Sequence, residues 1–161
     1  MKLAIIYHSE TGNTKKAAEF VLAGMLRVDG IEAKLFSVDS VDEEYVKESK
    51  GVVFGAPTYY ADTSWQMMKF FHQSSLPLKD KLGGAFSTAN SEQGGSEIVL
   101  EGVCVYMLAK GMLCYSGGTT HGMPMSHLGA NAFARGGGIE ARADLLSAFG
   151  ERFARKAVEL F

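Results

Sequence analysis

Six consecutive residues, Ser9-Glu10-Thr11-Gly12-Asn13-Thr14, bring together three hydroxyls, an amide and a glycine. Those types suit the binding of an anion. Before them, Lys2 to Tyr7 is a short apolar run of the kind found in a buried parallel strand. After them, Ala17, Ala18, Val21, Leu22 and Met25 recur on one face of an amphipathic helix. The hexapeptide is therefore a turn from a strand into a helix N-terminus. Unpartnered N–H groups and partial positive charge favour a phosphate there. Gly12 permits a tight turn and a close backbone approach. Neither G-x-x-x-x-G-K-[ST] nor G-x-G-x-x-G occurs in the chain. The cradle thus has no obligatory lysine and suits a single terminal phosphate monoester. An ordinary capped helix, with Thr11 or Asn13 as its cap, accounts for one hydroxyl but not for three.

Two further segments stand in comparable positions. Pro57-Thr58-Tyr59-Tyr60-Ala61-Asp62 follows the apolar run Gly51 to Gly55, and its tyrosines can lie against a flat ring. Ser87-Thr88-Ala89-Asn90-Ser91-Glu92-Gln93-Gly94 follows the small-residue run Gly84 to Ser87 and is rich in hydrogen-bonding groups.

The elements that must hold these loops alternate along the chain. Strands are expected at Lys2 to Tyr7, Ile31 to Val38, Gly51 to Gly55, Gly84 to Ser87 and Met112 to Tyr115. The polar alternation of the second suits a sheet edge, and Pro57 is expected to end the third. Helices are expected after the first loop, over Asp42 to Ser49, Trp65 to Gln73 and Glu97 to Lys110, and from Ile139 onward. A glycine-rich connection from Ser116 to Gly138 separates the last strand from the last helix. Five strands joined by helices make a doubly wound α/β sheet with helices on both faces. Trp65, at the head of its helix, suits core packing and a pocket wall equally.

The 161 residues suffice for one domain, 1–161, with a sizeable core. No apolar run reaches the ~20 residues of a membrane span. The N-terminus enters a strand directly, leaving no room for a signal peptide, and a cytoplasmic location is expected. Net charge is −2 with Lys and Arg scattered, so nucleic acid is not an expected partner. Cys104 and Cys114 sit among apolar neighbours and read as reduced core thiols.

Taken together, the loop at Ser9–Thr14, Gly55-Ala56-Pro57-Thr58 with the helix after it, and Ser87–Gly95 resemble the three flavin loops of flavodoxins and of WrbA-type NAD(P)H:quinone oxidoreductases. The resemblance covers nearly the whole chain. It implies a flavodoxin-like fold with strand order 2-1-3-4-5 and an FMN site at the switch point. Ser9, Thr11, Asn13 and Thr14 would meet the phosphate, with Glu10 and Gly12 acting through the backbone. Pro57, Thr58, Tyr59, Tyr60 and Asp62 would flank the ring. Ser87, Thr88, Ala89, Asn90, Glu92, Gln93 and Gly94 would border its polar edge.

The third loop holds no aromatic residue, leaving one ring face open to a nicotinamide or a quinone. With so small a net charge to steer docking on a protein partner, the expected activity is an FMN-dependent oxidoreductase. It would pass electrons from NADH or NADPH to a small acceptor such as a quinone. The alternative is a flavodoxin carrying single electrons between proteins. His121 and His127 flank a turn and fit no common zinc spacing, so no metal is expected. His121 is a candidate for lining the substrate face or protonating an acceptor. The usual histidine of the reductases is replaced in Lys110-Gly111-Met112. Residues Ile98 to Ala109 are apolar around nearly the whole helix, which points to a homo-oligomer, most simply a dimer.

Overall fold

Leu3 and Ile5 of the first strand pack into one core, and Ala4 and Ile6 pack into another. Side chains alternate across a strand, so a strand apolar at every position must be covered on both faces. A computed structural model of the protein describes every residue from Met1 to Phe161. Its elements are β1 (Lys2–Tyr7), α1 (Asn13–Met25), β2 (Glu32–Ser37), α2 (Glu43–Glu48), β3 (Gly51–Tyr59), β4 (Asp62–Thr63), α3 (Trp65–Gln73), β5 (Leu82–Ala89), α4 (Ser96–Ala109), β6 (Leu113–Cys114), β7 (Ala130–Phe133) and α5 (Ala143–Leu160).

The sheet runs β2-β1-β3-β5-β6, with β7 also paired to β5. This is the expected doubly wound order, with β2 at the edge and more than five strands. α1 and α5 cover one face around Phe86, Phe149 and Phe153. α2, α3 and α4 cover the other around Phe54, Phe71 and Met107. The α1–α5 crossing is close because both helices carry glycine there. A Cβ on Gly24 would stand 1.9 Å from the Ser147 carbonyl oxygen, and one on Gly150 would stand 2.0 Å from that of Val21.

Four expectations are corrected. Pro57 does not end β3, which continues to Tyr59. The pairing of β1 with β3 stops at Tyr7 and Gly55, so beyond that point one edge of β3 is free of β1 and needs no N–H from proline. Second, the fifth strand position is split. β6 pairs with Leu82 and Gly83, the chain leaves the sheet, and β7 returns to pair with Phe86 through Ala89. The connection expected over Ser116 to Gly138 thus contains a strand. Gly129 permits the return, because a Cβ there would lie 2.1 Å from the Ala85 carbonyl oxygen. Third, the last helix begins with a 3₁₀ turn over Ile139–Arg142 before α5. Fourth, Cys114 is exposed and Cys104 half-buried, so neither is a fully buried core thiol. Burial still pushes the Cys104 thiol up to about 11.

Along α4, Val99, Leu100, Val103 and Met107 enter the core, while Ile98, Val105 and Leu108 remain exposed. No helix is long and apolar enough to cross a membrane.

Candidate functional site

The carboxyl ends of β1, β3 and β5 enclose a cavity of about 370 Å³. Its walls are Glu10, Thr11, Asn13 and Thr14 from the first loop, Pro57, Thr58 and Tyr59 from the second, and Thr88, Ala89 and Asn90 from the third. Ala134, just after β7, closes the remaining side.

Hydroxyls dominate the end of the cavity beside α1. The N-cap of α1 is Gly12, at φ 93°, and no side chain caps the helix. Neither Thr11 nor Asn13 is therefore spent on capping, and the positive end of a 13-residue helix is left open. Ser9 Oγ is buried without a hydrogen-bond partner, as is Thr58 Oγ1. A buried hydroxyl without a partner costs free energy, which a polar ligand would recover. Thr14 Oγ1 lies 2.8 Å from Thr88 Oγ1, and this buried pair joins the first loop to the third.

Tyr59 OH donates to Glu10 Oε2 at 3.1 Å across the mouth of the cavity. Glu10 thus contributes its carboxylate as well as its backbone. Burial, followed by that bond, holds the Tyr59 phenol above its ordinary value.

Several expected contacts are not among the residues lining this cavity, Ser9 and Gly12 of the first loop included. Tyr60 is fully exposed at φ 53°, at the tip of the two-residue hairpin between β3 and β4. Tyr59 is the last residue of β3, whereas Tyr60 lies beyond it in a left-handed turn position that carries its ring into solvent. Asp62 is exposed and accepts from the Thr63 N–H at 2.7 Å. Ser87 is fully buried and donates to the Ser96 carbonyl, fastening β5 to the start of α4. Glu92 pairs with Arg142 at 2.8 Å on the surface, and Gln93 is exposed. Gly94 forms a turn by donating its N–H to the Ser91 carbonyl. His121 lies in the connection between β6 and β7, with Nε2 3.3 Å from Tyr115 OH, and does not line the cavity. Trp65 lines a separate groove of about 420 Å³, with Val38, Asp39, Gln66 and Phe70, that shares no residue with the first cavity.

Two residues that support the site have no signature in the sequence. Ala134 arrives because its N–H donates to the Ala89 carbonyl at 2.9 Å, a pairing that exists only once β7 joins the sheet. His8, almost fully buried at the end of β1, lies with Nδ1 3.0 Å from Ser64 Oγ, the N-cap of α3. That bond ties the base of the first loop to the element following the second. Burial lowers the His8 pKa from 6.5, opposed by the carboxylates of Glu10 and Asp39. The unfolded chain therefore takes up this proton first as pH falls. Stability is full above 6.5 and is lost on acidification through the lower folded value. The fall in urea midpoint between about pH 7.5 and about pH 5.5 is expected to be smaller in His8→Asn than in wild type. An equal fall in both proteins would contradict this.

Residues 5–149 match the family model described as Flavodoxin. The chain belongs to the flavodoxin family. It is 44% identical over 165 residues to a flavodoxin of Clostridium saccharobutylicum, covering all of both chains. It is also 27% identical over 142 residues to an NAD(P)H dehydrogenase (quinone) of Syntrophobacter fumaroxidans, with 70% of each chain covered. Among solved structures, a flavodoxin, WrbA-like protein from Agrobacterium tumefaciens superposes with a TM-score of 0.81 at 24% identity, over 98% of both chains. That likeness speaks for the fold.

Membership of the flavodoxin family implies FMN, and the residues present fit it. An uncapped helix N-terminus with unspent hydroxyls matches a phosphate monoester. Buried Thr58 Oγ1 and the amide of Asn90 offer polar partners beyond it.

Proposed function

We propose that this protein is an FMN-binding electron carrier that serves protein partners. The observation that carries this reading is the match along the entire chain to the Clostridium flavodoxin. Charge supports it once position is considered rather than the net value. Glu10, Asp62, Glu97 and Glu92, the last paired with Arg142, all lie on the three loops or the first turn of α4. A net charge of −2 conceals this local set, whose field would steer a basic docking face.

In this reading FMN supplies one- or two-electron redox chemistry when bound. The chain holds it and limits its exposure. Ser9, Thr11, Asn13 and Thr14 take the phosphate against the α1 dipole. Tyr59, pinned by Glu10, offers an aromatic surface to the ring, and Ala89 and Asn90 border its edge.

A second reading, direct reduction by NADH or NADPH with a quinone as acceptor, is favoured by one observation. The third loop offers no aromatic cover, and quinone dehydrogenases are among the more distant relatives. One experiment separates the two. The FMN-loaded protein is mixed anaerobically with NADPH or NADH, alone and with a flavodoxin reductase. Bleaching is expected only with the reductase present, at a rate that falls with added salt. Rapid bleaching by the nicotinamide alone would establish the second reading instead.

The reading extends to a homodimer through α4. The exposed Ile98, Val105 and Leu108 share a stripe with Gly102, where a second backbone can approach closely. Glu101 is the one charge on that stripe. A second copy is the occupant it fits, because so neutral a surface offers little for an oppositely charged partner to read. Sedimentation at micromolar concentration is expected to give twice 17.4 kDa. A species of 17.4 kDa throughout would remove the interface.

A further inference from the structure

Two buried threonines from distant parts of the chain share one hydrogen bond, and that bond leaves one hydrogen over. Thr14 is 2% exposed and Thr88 is 3% exposed, with their hydroxyl oxygens 2.8 Å apart. Neither side chain makes another hydrogen bond. A hydroxyl carries one hydrogen and two acceptor positions, so one threonine donates to the other and the second hydrogen needs an acceptor. Both residues line the cavity. Thr14 lies in the first turn of α1, whose N-terminal field favours an anion on its side of the pair.

We infer that Thr88 is a positioning residue for phosphate recognition: its hydroxyl donates to Thr14 Oγ1, which turns the Thr14 hydrogen toward the phosphate. The inference rests on the FMN reading and assigns Thr88 a role through Thr14 rather than at the edge of the ring.

The sheet explains why Thr88 can hold this direction. It pairs with Pro57 of β3 on one side and with Ala132 of β7 on the other, so its backbone is fixed from both flanks. A β-branched side chain in a strand is restricted at χ1. Thr14, equally buried and β-branched, sits one residue into α1, behind a left-handed glycine. Both oxygens are therefore held in place, and what remains to be set is which hydroxyl donates. An anion on the α1 side favours the order in which Thr88 donates and Thr14 keeps its hydrogen for the ligand. An anion accepting from Thr14 polarises that hydroxyl and strengthens the Thr88 bond behind it, so the two act as a chain.

The test is the affinity for FMN and for riboflavin, which differ only in the phosphate, in wild type, Thr88→Val, Thr88→Ser, Thr14→Val and the Thr14→Val/Thr88→Val double variant. Valine keeps the shape of threonine and removes the donor. Thr88→Val is expected to weaken FMN about five- to tenfold and leave riboflavin within about twofold. Thr88→Ser should restore most of the FMN affinity. Thr14→Val should lose more, and adding Thr88→Val to it should cost little further, since Thr88 then has nothing to orient. Competition by inorganic phosphate against FMN should weaken in parallel in Thr88→Val.

Thermal unfolding of each apoprotein, with the riboflavin affinity, separates a folding defect from a lost orientation. Equal losses for FMN and riboflavin, additive losses in the double variant, or full FMN affinity in Thr88→Val would each overturn the inference. If wild type itself failed to prefer FMN to riboflavin, the FMN reading would fall and this inference with it. A wild type that discriminates alongside an unaffected Thr88→Val would overturn the role of Thr88 alone.

Discussion

A chain carrying Ser9→Ala and Thr14→Val is expected to bind FMN about a hundredfold or more weakly than wild type, while its riboflavin affinity stays within about twofold. Hydrogen bonds to a charged group contribute about 1.5–3 kcal/mol each, and every 1.4 kcal/mol is about tenfold in affinity. In the FMN reading, Thr14 of the cavity lining and Ser9, whose Oγ lies buried in the same loop, would each donate to a phosphate that no lysine of the loop is required to neutralise. Ser9 adds a discriminating feature. Its Oγ is buried without a partner, so removing it relieves the free protein of an unsatisfied group. The Ser9→Ala apoprotein should therefore unfold at an unchanged or slightly higher temperature while losing FMN. Fluorescence titration of both flavins, with a thermal melt of each apoprotein, checks the pair of outcomes. Parallel loss of FMN and riboflavin would move the phosphate elsewhere.

The second large effect concerns the face of the sheet opposite α4. Gly150→Val is expected to destabilise the fold by about 3 kcal/mol, the upper part of the usual range for overpacking. A Cβ at this position would meet the Val21 carbonyl oxygen at 2.0 Å, and Gly24 meets α5 just as closely from the other helix. Backbone cannot yield as a flexible side chain does, so α1 and α5 must separate. Separation would loosen Phe149 and Phe153, which are buried between these helices and the sheet. Tm should fall by roughly 6–12 °C for a domain of this size. Because α1 also carries at its N-terminus the loop proposed to take the phosphate, FMN should bind the remaining folded protein more weakly. An unfolding free energy from urea within about 1 kcal/mol of wild type would show that the crossing has slack.

The alternation of strands and helices, the doubly wound class and the three loops are all legible in the chain itself. They depend on periodicities and turn chemistry that span only a few residues. Leu3 to Ile6 is apolar throughout because both faces of β1 are covered, and Asp42 is a helix cap wherever the helix lies. Element ends are less legible. Pro57 looks like a terminator until the early end of β1 is seen to leave its edge free.

The balance of function was legible only in part. A net charge of −2 argues against a docking carrier, yet Glu10, Asp62, Glu92 and Glu97 all fall on the three loops or the first turn of α4, and Glu10 lines the cavity itself. Composition averages over a surface, whereas a docking partner meets one face of it. The site divides in the same way. The sequence alone placed Ser9, Thr11, Asn13 and Thr14 in one loop, because a strand-to-helix turn positions its own neighbours. Only the tertiary structure decided that Thr14 meets Thr88 across 74 residues, that His8 meets Ser64, and that Tyr59 rather than Tyr60 lines the cavity. The same holds for the split fifth strand and for Gly24 and Gly150, where two backbones nearly touch. The physical reason is common to all of them. Local sequence sets which backbone shape a segment prefers, but a contact between distant segments exists only after sheet register and helix crossing have brought them to one place.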